Sequence, residues 1–346
     1  MVSAHLSRIA VAVPASIPQH AMWDQCFSRR YRTLAGASRI WNGAGVETRH
    51  AVIDPRTEDI SSWSTGARMK RYVTDAVPLA ATAVSEAIDA ADVTAKDIEL
   101  FVVVSCTGYA TPGLDLILAQ NLGMAPTLQR LCVGHMGCYA ALPALAAVGD
   151  AVVARGMTAL LLCVELTSLH VQPPSRDLDQ LVSHALFSDA AVAVVVKPTG
   201  PGLQLVDIAA NTDCAHEDKM TWQITDLGFR MTLSSRVPDV LAAALRPTVE
   251  DLAHRNNVDL SAIAGWAIHP GGPRILDVCA SVLGLDNDAM APSRDTLRDH
   301  GNCSSATVLL VLERLLEERT FASDDHIIAL AFGPGLTLYA ALLRWT

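Results

Sequence analysis

The chain has 346 residues, 51% of them hydrophobic and 18% charged, with a formal net charge of −10. That length and apolar content predict a large buried core and a buried subunit interface. The acidic balance and the lack of any Lys/Arg run argue against nucleic acid as a partner, and no uninterrupted apolar stretch reaches the ~20 residues a bilayer span needs.

In chain order, residues 9–13 are apolar but stop at Pro14, and read as a first strand rather than a signal peptide. Residues 54–59 read as an exposed loop. Residues 77–91 predict a helix with an Ala face suited to close packing. Short apolar runs at 100–104, 159–164, 190–196 and 327–332 predict strands buried on both faces. Residues 139–155, 237–253 and 304–318 predict further helices; 172–177 and 318–325 read as loops. Strand–helix alternation implies an α/β fold with helices on both sheet faces. The Gly/Pro cluster at 198–202 is the best internal boundary, and a second set of strands begins at 203–208. The predicted units are residues 1–200 and 201–346.

Eight cysteines (26, 106, 132, 138, 163, 214, 279 and 303) form no CxxC pair. They read as reduced thiols of a cytosolic enzyme, not as a disulfide framework. No His/Cys spacing suggests zinc. The absence of GxGxxG after a strand and of GxxxxGK[ST] removes the dinucleotide and P-loop readings.

Three Gly-containing turns carry candidate chemistry. Cys138 lies in Val133-Gly134-His135-Met136-Gly137-Cys138-Tyr139 and leads into an Ala/Leu-rich helix. A Cys at a first helical turn has its thiolate favoured by the helix dipole and free N–H groups. The alternative is one more buried structural thiol. His269 precedes Pro270-Gly271-Gly272-Pro273, and Asn302 follows His300-Gly301. A neutral imidazole near Cys138 stabilises the thiolate or donates to a thioester oxygen. Asn302 suits a helix N-cap, an oxyanion donor or both.

These motifs resemble those of the type III polyketide synthases, the chalcone-synthase-like branch of the thiolase-fold condensing enzymes. Three further segments resemble the same family in the same order: Cys106-Thr107-Gly108-Tyr109-Ala110-Thr111-Pro112-Gly113, Leu186-Phe187-Ser188-Asp189, and Phe332-Gly333-Pro334-Gly335, with Ala331 where Gly usually stands. The resemblance implies a duplicated thiolase-like fold layered αβαβα, with the nucleophile in the first half and the His and Asn in the second. It implies that Cys138 takes an acyl group from coenzyme A, and that His269 and Asn302 stabilise the enolate left when malonyl-CoA loses carbon dioxide.

Phe187 falls at the family's gatekeeper position, and Met231 where a second Phe is usual. Cys106, His170, Trp222 and Ser304 fall at cavity positions, and Thr111 lies in the loop that in the family reaches toward the partner's cavity; His170 either polarises a carbonyl or is a core hydrogen-bonding group. Arg39 matches a CoA-contacting cation, Gly36 and Gly43 replace two others, and Arg274 is a substitute candidate. The resemblance further implies a cytoplasmic homodimer, no metal, and no cofactor beyond the acyl-CoA and malonyl-CoA substrates. The wording is closest to bacterial members, and an alkyl-α-pyrone or alkylresorcinol from a fatty acyl starter is the expected product. Alternatives are a malonyl-primed tetrahydroxynaphthalene-type synthase, a ketoacyl-acyl-carrier-protein synthase, and a non-catalytic scaffold of the same fold.

Overall fold

Alternate residues of each central strand enter different cores. In the strand Ala159–Leu166, Leu160, Leu162 and Val164 enter one core, while Ala159, Leu161 and Cys163 enter another. In His326–Gly333, Ile327, Ala329 and Ala331 share that second core, while Ile328, Leu330 and Phe332 enter a third. Burial on both faces explains why these strands read as unbroken apolar runs.

A computed structural model describes residues 3–346. Its main sheet has ten strands. Leu100–Ser105 runs parallel to both Gln129–Gly134 and Ala159–Leu166, and Asp189–Lys197 is antiparallel to Ala159–Leu166. The second half repeats the pattern: Ile263–Ile268 is parallel to His326–Gly333, which is followed by antiparallel Thr337–Trp345 and Leu203–Thr212. The short strand Ala4–Leu6 pairs with both Asp189–Lys197 and Leu203–Thr212 and joins the two portions edge to edge.

The helix Thr65–Ala90 covers one outer face. Ala141–Arg155 and Thr307–Glu318 lie between the two sheet portions, where their side chains share one core with both. Val237–Arg255, Pro273–Leu283 and Asn287–His300 cover the other outer face. The layering is αβαβα, with a separate antiparallel ribbon, Met220–Thr225 and Gly228–Leu233, set apart from the main sheet.

Two elements differ from expectation. The first long helix begins at Thr65, not at 77, because the Ser64 hydroxyl accepts the Ala67 N–H and caps it. The strand Gln129–Gly134 has only Leu131-Cys132-Val133 as an apolar stretch: it is an edge strand, and most of its residues are exposed. No helix among the described residues is long and apolar enough to cross a membrane.

Candidate active site

Cys138 follows the C-terminal end of one parallel strand, and His269 follows that of another. Loops at these strand ends are where ligands bind in α/β sheets. The turn before Cys138 is tightly built. Gly137 has φ +81°, and a Cβ there would lie 2.7 Å from Pro334 Cδ; a Cβ at Gly333 would lie 3.2 Å from the Cys138 nitrogen. The Phe332-Gly333-Pro334 loop thus packs directly on the turn that carries Cys138.

One cavity of about 570 Å³ brings Cys138, His269 and Asn302 together, with Phe187 and Met231 on its wall. Arg39 and Arg274 line the same cavity, and both are exposed. It therefore runs from cations at the surface to a buried thiol.

The helix after Cys138 begins only at Ala141, so the thiol stands before its first turn. Burial pushes the Cys138 thiol up to about 12, against the lowering effect of the Ser304 hydroxyl 3.7 Å away. The expected lowering by a helix start is thus overridden by desolvation in the free enzyme. His269 is 1% exposed, and neither ring nitrogen meets a protein partner. Burial drops its pKa to about 3, so it is a neutral imidazole. Its ring meets Phe332 edge to face at 5.7 Å, and its backbone N–H donates to the Leu330 carbonyl.

Asn302 is fixed at both levels. Its backbone pairs with the gatekeeper segment: its N–H donates to the Leu186 carbonyl, and its carbonyl accepts from Ser188 N–H. Its Oδ1 accepts from Ser304 N–H at 2.9 Å and from Thr307 Oγ1 at 3.4 Å. The turn into the Thr307–Glu318 helix therefore occupies the oxygen and leaves the NH2 end to face the cavity. Cap and donor are served by opposite ends of one amide.

Behind Cys138 the space is filled. A void of about 20 Å³ touches Cys106, Cys138, Trp222, Met231 and Ser304. Another of about 30 Å³ touches His170, Phe187, Trp222 and Phe229. Each holds one or two waters at most. The Ser304 hydroxyl lies 3.2 Å from the Cys106 sulfur as well as close to that of Cys138. His170 and Trp222 thus face these voids and do not line the large cavity. His170 is hydrogen-bonded through both ring nitrogens to backbone, the geometry of a core hydrogen-bonding group. Thr111 is exposed on this chain, hydrogen-bonded to the Tyr109 hydroxyl, and does not line this chain's own cavity.

Sequence reasoning missed Glu165. It is fully buried and accepts from Thr107 Oγ1, the Cys106 N–H, Ser305 Oγ and Ser105 Oγ. Burial raises its pKa, and these donors oppose the rise. The signal available was a carboxylate within an otherwise apolar strand, which needs partners to be buried at all.

The chalcone and stilbene synthase family matches the chain twice, its N-terminal domain over residues 48–201 and its C-terminal domain over 205–346. The 1,3,6,8-tetrahydroxynaphthalene synthase of Streptomyces coelicolor is 30% identical over 347 residues, 99% of this chain and 92% of that protein. The alpha-pyrone synthesis polyketide synthase-like Pks18 of Mycobacterium tuberculosis is 30% identical over 322 residues, 88% of this chain and 81% of its own length. The crystal structure of the Streptomyces coelicolor tetrahydroxynaphthalene synthase superposes with a TM-score of 0.93 at 31% identity, covering 99% of both chains. That of PKS-I from the brown alga Ectocarpus siliculosus gives 0.92 at 26% identity, covering 100% of this chain and 99% of that one. The chain therefore has the thiolase-like fold and belongs to the chalcone and stilbene synthase family, the type III polyketide synthases, which are condensing enzymes.

Proposed function

We propose that Cys138 takes an acyl group from a coenzyme A thioester and extends it with malonyl-CoA by decarboxylative condensation. The observation that carries this reading is the unbonded imidazole of His269 and the free amide end of Asn302, both buried in the cavity that holds Cys138. Buried polar groups are normally paired, so these two stand ready for a substrate oxygen.

Burial raises the Cys138 thiol and lowers His269, which disfavours a free ion pair, so the proton passes to His269 as the sulfur attacks the thioester carbonyl. The C–S bond to coenzyme A then breaks, and the leaving thiolate takes the proton back from His269. The neutral imidazole and the Asn302 amide next donate to the malonyl thioester oxygen as carbon dioxide leaves. The enolate carbon attacks the acyl-Cys138 carbonyl, forming a carbon–carbon bond and releasing the cysteine. Arg39 and Arg274 supply positive charge for the coenzyme phosphates at the mouth. No cofactor beyond the thioester substrates enters this scheme.

For the product we propose an alkyl-α-pyrone, a reading supported by the alpha-pyrone synthesis in the name of the mycobacterial relative. The voids of about 20 and 30 Å³ behind Cys138 favour a short starter over the long fatty acyl chain expected from sequence. A malonyl-primed naphthalene product is the second reading, favoured by the streptomycete relative and its structure.

Incubation of the pure enzyme with labelled malonyl-CoA and acetyl-, hexanoyl- or lauroyl-CoA, with products identified by mass, tests both. Short alkyl-α-pyrones from acetyl and hexanoyl starters are expected. A naphthalene formed from malonyl-CoA alone selects the second reading. No carbon dioxide release from malonyl-CoA overturns both.

We further propose a homodimer in the cytoplasm. Leu131 on the exposed edge strand and Tyr109, in the loop before Thr111, are 42% and 63% exposed, and all eight cysteines are free. Sedimentation as a monomer at micromolar concentration contradicts the dimer.

A further inference from the structure

The helix Leu178–Leu186 ends beside Phe187, and a helix end leaves its last carbonyls without partners. One side chain serves three carbonyls here. Arg49 Nη1 donates to the His184 carbonyl at 2.6 Å and to that of Phe187 at 3.1 Å, and Nη2 donates to the Ala185 carbonyl at 2.6 Å. The carbonyl between them, that of Leu186, accepts from the Asn302 N–H at 2.8 Å, and the Asn302 carbonyl accepts from Ser188 N–H at 2.9 Å. This turn has no slack toward Asn302: a Cβ at Gly301 would lie 2.9 Å from the Leu186 oxygen. Wherever Arg49 sets the turn, the Asn302 backbone follows.

Arg49 is itself 3% exposed, and burial lowers its pKa to about 9. Among the described residues its hydrogen bonds go to carbonyls and to the Gln19 side chain, and none goes to a carboxylate. Two features offset the burial of that charge. One is the negative end of the helix dipole at residues 184–187. The other is Trp41, whose ring centre stands 5.2 Å from the guanidinium carbon, within the range of a cation–π contact. The Trp41 indole N–H also donates to the Gln19 carbonyl at 3.3 Å, and the Gln19 side chain accepts from Arg49 Nε at 2.8 Å. The indole therefore holds the guanidinium directly by its face and through Gln19 by its edge. Trp41 lies on the short helix Ala37–Asn42, where it and Ala37 face the core while Arg39 and Ile40 line the cavity.

We propose that Trp41 is a positioning residue for Asn302: it seats the Arg49 guanidinium against the carbonyls of residues 184, 185 and 187, and that turn fixes the backbone of the oxyanion amide. Packing alone is a weaker account, because a ring that only filled the core would need neither a cation on its face nor a partner for its N–H. The catalytic consequence rests on the role proposed above for Asn302.

Two variants separate the accounts. Trp41→Leu keeps apolar bulk and loses both contacts; Trp41→Phe keeps an aromatic face and loses the N–H. The measurements are kcat and KM for carbon dioxide release from malonyl-CoA, with each variant alone and combined with Asn302→Ala, and amide hydrogen exchange in peptides covering residues 300–304. Trp41→Leu is expected to lower kcat about tenfold, the cost of a displaced reacting group, with KM within about twofold. Trp41→Phe should lose only about threefold, since a smaller face still meets the cation. Combined with Asn302→Ala, either substitution should change kcat by less than about twofold, because its effect passes through the amide already removed. Exchange at the Asn302 N–H should accelerate in Trp41→Leu. Should Trp41→Leu not fold, Trp41→Phe carries the same comparison. A folded Trp41→Leu variant with wild-type kcat, a loss that persists in full beside Asn302→Ala, or unchanged exchange at residues 300–304 overturns the proposal. A wild-type enzyme that releases no carbon dioxide overturns the condensation reading instead, and exchange alone then decides whether Trp41 holds Asn302.

Discussion

On its solvent side Cys138 faces a cavity of about 570 Å³; on its inner side it meets voids of about 20 and 30 Å³. The polar groups differ in the same way. Outside, His269 has no hydrogen bond at either nitrogen, and the Asn302 amide is held only by its oxygen. Inside, the Cys106 and Thr107 carbonyls are taken by Trp222 and His170, and Glu165 accepts from four donors. Unsatisfied polarity in a buried place is costly and is kept where a ligand will satisfy it; satisfied polarity makes a rigid wall. One side of Cys138 is left open to a ligand and the other is closed.

The contrast breaks most completely at the sulfur. Cys138→Ala is expected to abolish polyketide formation while leaving some release of carbon dioxide from malonyl-CoA, since His269 and Asn302 still receive the enolate. Mass analysis of products beside a carbon dioxide assay checks it; a starter acyl group trapped on another cysteine would reject the assignment.

Asn302→Ala is the next largest. Removal of one preorganised oxyanion donor lowers turnover by roughly 10²–10³-fold, about 3–4 kcal/mol of barrier. The same variant leaves Ser304 N–H without its acceptor, and such a buried donor costs about 1–3 kcal/mol of stability. Decarboxylation rates and thermal melts on one preparation separate the effects. A melt that shifts with no loss of rate makes Asn302 a cap and nothing more.

Trp222→Gly tests the inner wall. The variant loses the Cys106 bond and the edge-to-face contacts with His170 and Phe229. It should accept bulkier starters or add extension steps. Stability should fall by less than the ~3–5 kcal/mol of a fully buried aromatic truncation, because Trp222 is only half-buried. Unchanged products from a well-folded variant would make Trp222 packing alone.

Much of this was legible in the sequence, and the boundary has physical causes. Strands buried on both faces declare themselves as apolar runs, and the Gly turns around Cys138, His269 and Asn302 are local patterns. The edge strand Gln129–Gly134 was not legible, since its apolar stretch is only Leu131-Cys132-Val133 and most of the strand is exposed. Nor were the partners of His170, since Thr107 and Phe229 lie 63 and 59 residues away. The raised thiol of Cys138 was misjudged for a related reason: a helix start is visible in sequence, but the desolvation that outweighs it belongs to the assembled fold.

The smallest effect belongs to the mouth. Arg39 and Arg274 are exposed, and Arg274 lies 3.9 Å from Asp239, which competes for its charge. Exposed ion pairs contribute about 0.2–1 kcal/mol, so Arg39→Ala or Arg274→Ala should raise KM for malonyl-CoA by about 1.5–5-fold with kcat nearly constant. The effect should shrink at high salt, because surface charges are screened. A truncated malonyl thioester that lacks the nucleotide and its phosphates sharpens the test. If the cations meet phosphate, both variants should match the wild type on that substrate and differ only on the full coenzyme. Equal losses on both thioesters would mean that Arg39 and Arg274 shape the cavity itself, and the division between a charged mouth and a reacting interior would have to be redrawn.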